Sequence, residues 1–139
     1  LVDVGIQAHQ VGFDEIQFDY IRFSTEKGIG DVVYDEADVR GRDKKTVITE
    51  FVQYASEKLK NEGLWICGTD INANKYYYEQ DLTGALGIVI GNEGNGISEK
   101  VKKNCDFLVK IPMKGKITSL NASVSAGIIM YESVEQRLK

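Results

Sequence analysis

Apolar residues fall into two kinds of segment along this chain. Between Thr46 and Asn61, the residues Val47, Ile48, Phe51, Val52, Tyr54, Ala55 and Leu59 recur at helical spacing, and Gly63 supplies a stop. From Leu120 to Leu138, Val124, Ile128, Tyr131 and Val134 repeat every three or four residues, which predicts a second amphipathic helix. Short continuous apolar runs stand between them: "LWICGTD" (64–70), "LGIVIG" (86–91) and "DFLVKIP" (106–112), the last closed by Pro112, the only proline. Unbroken runs of this length suit strands covered on both faces, as in a parallel sheet. Ser98 is placed to cap a helix over "SEKVKKNC", with Glu99 near its positive end. Nearer the start, a short amphipathic helix ends around Gly12, and "DEIQFDYIRF" alternates as a strand does. Residues 24–45 read as a long polar loop, and "INANKYYYEQDLTG" as a loop with one helical turn around Tyr77–Leu82. Strands alternating with helices predict an α/β fold: a layered, mostly parallel sheet with flanking helices.

A chain of 139 residues fits one domain with a real core. No apolar run approaches the roughly 20 residues that cross a bilayer, and no signal-peptide pattern is present. The net charge of −4 is uneven: residues 1–60 hold 8 Lys/Arg against 12 Asp/Glu, while residues 61–139 hold 9 of each. The lysines of the second part cluster at Lys100, Lys102, Lys103, Lys110, Lys114 and Lys116. An acidic total argues against strong autonomous nucleic-acid binding, which relies on cations displacing counterions. It leaves room for a catalytic domain that another module presents with its substrate. Cys67, Cys105 and the single histidine, His9, are too scattered for a metal site. The reading is therefore two reduced cysteines, no metal, no membrane and a cytoplasmic location.

The glycine-rich stretch "IGNEGNGISEK" (90–100) invites comparison with phosphate-binding loops. From Gly91 to Ser98 it matches the P-loop frame, but Ile97 stands where the phosphate-binding lysine is required. No G-x-G-x-x-G is present, so the dinucleotide fingerprint fails as well. A second stretch, "IPMKGKITSLNASVSAG" (111–127), changes the picture. Together the two closely resemble the paired C-terminal motifs of the SPOUT superfamily, and within it the SpoU/TrmH-type RNA ribose 2′-O-methyltransferases. The lead-in "KNEGLWICGTD" and the link "SEKVKKNCDFLVK" are similar too, so the resemblance runs from about Lys60 to the C-terminus.

That resemblance implies a C-terminal trefoil knot and S-adenosylmethionine as cofactor. It implies that adenine and ribose meet backbone around Ile90, Gly91, Ile111 and Leu120, where a side chain at Gly91 would block the approach. Glu93, Ser119 and Asn121 match the polar positions that organise the family's active site. It also implies RNA (ribosomal or transfer RNA) as substrate, and a homodimer with the last helix at the interface.

The family's N-terminal arginine motif is absent from "VDVGIQAHQVG". His9, Arg22 and Arg40 are the remote stand-ins for it. Residues 1–58 instead resemble a fragment of a glycoside hydrolase family with a TIM-barrel fold, with Asp19 at the end of a barrel strand. One barrel segment cannot close eight strands, and Asp19 has no partner carboxylate. The domain reading is a single α/β unit in which this barrel-derived segment replaces the N-terminal half, joined to a methyltransferase half at residues 59–139. Two other functions stay open at this point: an inactive scaffold or dimerisation module, and a remnant of a carbohydrate-active protein.

Overall fold

The computed structural model describes residues 2–13, 15–16, 41–91, 96–114 and 119–139. Five strands form one sheet: β1 (Glu15–Ile16), β2 (Trp65–Thr69), β3 (Lys75–Tyr76), β4 (Leu86–Val89) and β5 (Phe107–Lys110). Their order across the sheet is β1-β4-β2-β5-β3, and every neighbouring pair is parallel. Around it lie helices α1 (Val2–Gln10), α2 (Lys44–Asn61), α3 (Glu99–Lys102) and α4 (Ala122–Arg137). The expected α/β architecture is present, with β2 at the centre, flanked by β4 and β5.

The pleat sends alternate side chains to opposite faces, and each face has its own core. On one face Cys67, Leu86, Ile88 and Val109 meet Ile129 of α4 and Leu82. On the other, Leu64 and Ile66 meet Leu59 of α2, with Ile6 and Ala8 of α1 alongside. Gly87 lies under that second layer, where an added Cβ would come within 2.9 Å of Ile66 Cδ1 and 3.6 Å of Leu59 Cδ1.

Helix α2 begins two residues before the expected Thr46 because Asp43 caps it. The Asp43 carboxylate accepts the Thr46 amide at 3.1 Å and the Thr46 hydroxyl at 2.6 Å, satisfying an orphan donor of the first turn. The helix stops with Leu64 N–H donating to Leu59 O and Gly63 N–H donating to Lys60 O, the paired C-terminal turn of a Schellman motif. Asp106 then ties the layers together. It accepts the Ile66 amide at 2.7 Å and pairs with Lys60 at 2.8 Å.

Helix α4 forms where expected, but its apolar stripe does not face the sheet. Val124, Tyr131 and Val134 are exposed, while Ala126, Ile129 and Ser133 are buried. The two sets are offset by two residues, about 200° around a helix, so they lie on opposite faces. The buried face is partly polar because it satisfies the backbone of residues 80–84. Ser133 Oγ donates to Leu82 O at 2.7 Å, Gln136 Oε1 accepts the Leu82 amide at 2.9 Å, and Arg137 donates to Thr83 O and Gly84 O. Among the described residues no helix is long and apolar enough to cross a membrane.

Candidate functional site

In open α/β sheets, ligands bind beyond the carboxyl ends of the strands, where neighbouring connections diverge. The carboxyl ends of β2, β4 and β5 here frame a cleft of about 320 Å³. Thr69 and Asp70 reach it from β2, Ile90 and Gly91 from β4, and Lys110 and Ile111 from β5. Ser119 and Leu120, leading into α4, and Ser125 in its first turn close it.

Of the residues singled out in the sequence, Ile90, Gly91, Ile111, Leu120 and Ser119 are thus brought to one cleft. Asn121 is the N-cap of α4, its Oδ1 accepting the Ser123 amide at 2.9 Å. Its amide nitrogen is left as a donor and its Oδ1 keeps a second lone pair. Glu93 lies outside the described residues, as do Asp19, Arg22 and Arg40. His9 sits at the end of α1, with its Nδ1 3.1 Å from Phe13 O, and is not among the residues lining the cleft.

The structure adds a reason for Gly91 that concerns the protein itself. A Cβ there would stand 2.6 Å from the Ile97 amide nitrogen and nearer still to Gly96. The chain returning at Gly96–Ile97 passes directly against Gly91, so any side chain would push the two backbones apart. Thr69 holds the same turn from the central strand. Its Oγ1 lies 3.4 Å from both the Gly91 amide, which it accepts, and Val89 O, to which it donates.

Asp70 and Lys102 form a second brace that the sequence did not point to. Lys102 of α3 pairs with the Asp70 carboxylate, and with Glu99 at 2.7 Å. This pair links the end of β2 to the helix that follows the glycine stretch. Partial burial works to raise the Asp70 carboxyl, but the Lys102 ammonium and the Asn72 amide outweigh it and hold the group below its ordinary value. Asp70 and Glu99 push the Lys102 ammonium up in turn. A lowered acid contributes stability that is present above its unfolded value and lost as pH falls through the folded one. The thermal midpoint of the native chain should therefore exceed that of Asp70→Asn at neutral pH, and the gap should close below about pH 4. A gap that stays constant to pH 2.5 would contradict the pair.

Cys67 and Cys105 are both free thiols. Burial, and then the neighbouring Cys105, push the Cys67 thiol up to about 12, and burial raises Cys105 to about 11. Neither is a nucleophile at neutral pH, since reactivity requires the thiolate. No cluster of three or more metal-ligating side chains occurs among the described residues.

Comparison with known proteins places this geometry. The profile of the SpoU rRNA Methylase family matches residues 34–131. The 23S rRNA (guanosine-2′-O-)-methyltransferase of Pseudomonas putida is 48% identical over 81 residues, 58% of this chain and 33% of that protein. The SpoU methyltransferase AviRb from Streptomyces viridochromogenes, solved in complex with the cofactor AdoMet, superposes on 64% of this chain and 36% of its own with a TM-score of 0.57 at 35% identity. The A. aeolicus TrmH/SpoU tRNA modifying enzyme covers 98% of this chain and 68% of its own, with a TM-score of 0.60 and 26% identity. The chain spans about a third of the length of the curated relatives it matches. The family match begins inside residues 1–58, and β1 of that segment pairs with β4 in the same sheet. With the family's signature stretches converging on one cleft at the carboxyl ends of β2, β4 and β5, the chain belongs to the SpoU rRNA Methylase family.

Proposed function

We propose that this chain is the catalytic domain of an S-adenosylmethionine-dependent RNA ribose 2′-O-methyltransferase. The observation that carries the reading is the cleft in which Ile90, Gly91, Ile111, Ser119 and Leu120 meet. Its volume of about 320 Å³ falls within the range of small-molecule sites, roughly 300–1,000 Å³. Ile90, Ile97, Ile111, Met113 and Leu120 give it the apolar walls that a purine requires, and Asp70, Ser119 and Ser125 give it polar positions. The residues present therefore fit the cofactor of the family.

When bound, S-adenosylmethionine supplies an activated methyl group for in-line transfer to a hydroxyl. The backbone at Ile90, Gly91, Ile111 and Leu120 holds the nucleoside part. Ser119 and the amide nitrogen of Asn121 hold the target ribose or its phosphate, bringing the 2′-hydroxyl into line. Glu93 orients the group that takes or screens the departing proton. Ribosomal or transfer RNA is the substrate class, in keeping with the methyltransferases named above. We read residues 1–139 as one α/β unit, with residues 1–58 supplying its first strand and the helices of one face. The trefoil knot of the family belongs to the same reading.

A homodimer is part of the proposal. Val124, Tyr131, Val134 and Leu138 leave an apolar stripe on the outer face of α4, and contiguous apolar surface of this kind marks an interface. A second copy presenting the same stripe would cover it by two-fold symmetry.

Transfer of a labelled methyl group from S-adenosylmethionine to ribosomal or transfer RNA tests the activity. The expected product is a ribose 2′-O-methyl nucleotide, and Glu93→Ala is expected to abolish its formation. Label found on a base, or transfer undiminished in the variant, would overturn the assignment.

A further inference from the structure

Beside the cleft, three consecutive tyrosines form an ordered aromatic surface that the methyl-transfer reading does not use. Tyr77 is anchored against the core that contains Leu82, Leu86 and Ile129. Tyr76 and Tyr78 are stacked, with ring centroids 5.3 Å apart and planes 8° from parallel. Tyr77 meets Tyr78 edge-on at 5.1 Å. Tyr78 is nonetheless 49% exposed. Tyr78 thus keeps about half of its surface open to solvent while both neighbouring rings hold it in place.

The surface connects to the cleft through Lys110. This residue lines the cleft and pairs in register with Tyr76 across β5 and β3. Its ammonium lies 4.7 Å from the centroid of the Tyr76 ring. Lys75, on the same short edge strand, donates to Gln80 Oε1 at 3.3 Å. The neighbouring carboxylate of Glu79 accepts the Tyr76 amide at 2.8 Å. A half-exposed ring stacked on Tyr76, with Lys75 and Lys110 on the adjoining strands, complements a base and its flanking phosphates.

We infer that Tyr78, supported by Tyr76 and Lys110, is a stacking platform for an unpaired nucleobase next to the nucleotide held in the cleft. The inference rests on the RNA reading above and adds a positioning residue to it. Single-stranded RNA is bound by stacking splayed bases on aromatic rings while cations follow the backbone. The ring of Tyr78 is held in advance by its two neighbours, so little side-chain freedom is lost when a base lands on it. Lys110 contributes twice, through its cation–π contact to Tyr76 and as a partner for the phosphate between the two nucleotides.

The test is anisotropy of a fluorescein-labelled, unstructured 12-nucleotide RNA, with S-adenosylhomocysteine present, on the wild type, Tyr78→Phe and Tyr78→Ser. The phenylalanine variant keeps a stacking face and should bind within about twofold of wild type. The serine variant should bind about tenfold more weakly, within the range measured for loss of one base–aromatic stack. Its calorimetric affinity for S-adenosylhomocysteine should be unchanged, and its mass in solution should equal that of wild type. Equal RNA affinity of Tyr78→Ser and wild type overturns the platform and leaves the cofactor reading standing, as does wild type that binds the cofactor but no RNA. A change in oligomeric mass also overturns it, because Tyr78 would then belong to a contact between copies. Wild type that binds neither ligand removes both the platform and the reading beneath it.

Discussion

Gly91→Ala is expected to lower the affinity for S-adenosylhomocysteine at least tenfold. The added methyl group would stand 2.6 Å from the Ile97 amide nitrogen and nearer still to Gly96. Those are backbone atoms, and no rotamer change can move them aside. Overpacking of this kind costs about 1–3 kcal/mol, and the relief available is displacement of the backbone at Gly96–Ile97, which lines the cleft. Gly96→Ala is the matched control. Gly96 has a φ of +64°, but nothing lies within 4 Å of an added Cβ. Its cost is the strain of a left-handed conformation, about 1 kcal/mol, and the wall stays in place. Calorimetry on both variants, with circular dichroism to verify folding, separates the two effects. Gly91→Ala binding as tightly as wild type would show that the close approach at Gly96–Ile97 does not shape the site.

The largest effect on stability is expected at Ile129. Its side chain is fully buried and packs with Cys67, Leu82, Leu86, Ile88 and Val109. Truncation to alanine removes three carbons and leaves a cavity that the short, fixed strands beneath cannot close. A loss of about 3 kcal/mol is expected, seen as a midpoint roughly 10 °C lower. Urea unfolding of Ile129→Ala measures it directly. A change under about 0.5 kcal/mol, the range of surface positions, would mean that α4 turns its other face to the sheet.

The strands were legible in the sequence where burial on both faces makes the apolar run continuous, at Trp65–Thr69, Leu86–Val89 and Phe107–Lys110. Strand order was not legible, because β4 and β5 reach the two sides of β2 through pairings that no local pattern encodes. β3 was missed for a different reason. Lys75–Tyr76 is a two-residue edge strand, too short to show either alternation or an apolar run. Helix α4 was legible as a helix, but its periodicity did not tell which face meets the sheet. Ser133 and Gln136 point inward because the backbone at 80–84 needs their hydrogen bonds, and a hydrophobic pattern counts such positions as surface.

The candidate site was legible in outline through its two signature stretches. Ile90, Gly91, Ile111, Ser119 and Leu120 come together at one cleft although they span 31 positions of sequence from 90 to 120. The Asp70–Lys102 brace was not legible, since an ion pair between distant segments leaves no local signature. Thr69 was similarly silent. A threonine at the end of a strand is unremarked until its hydroxyl is seen holding the Gly91 turn.

The central claim is that the cleft at the carboxyl ends of β2, β4 and β5 receives S-adenosylmethionine. Backbone amide resonances recorded during titration of the folded chain with S-adenosylhomocysteine test it most directly. Saturable shifts concentrated at Ile90, Gly91, Ile111, Ser119 and Leu120, with one ligand per chain, are the predicted result. A folded chain whose amides do not move at millimolar ligand, or whose shifts centre on another surface, would contradict the account.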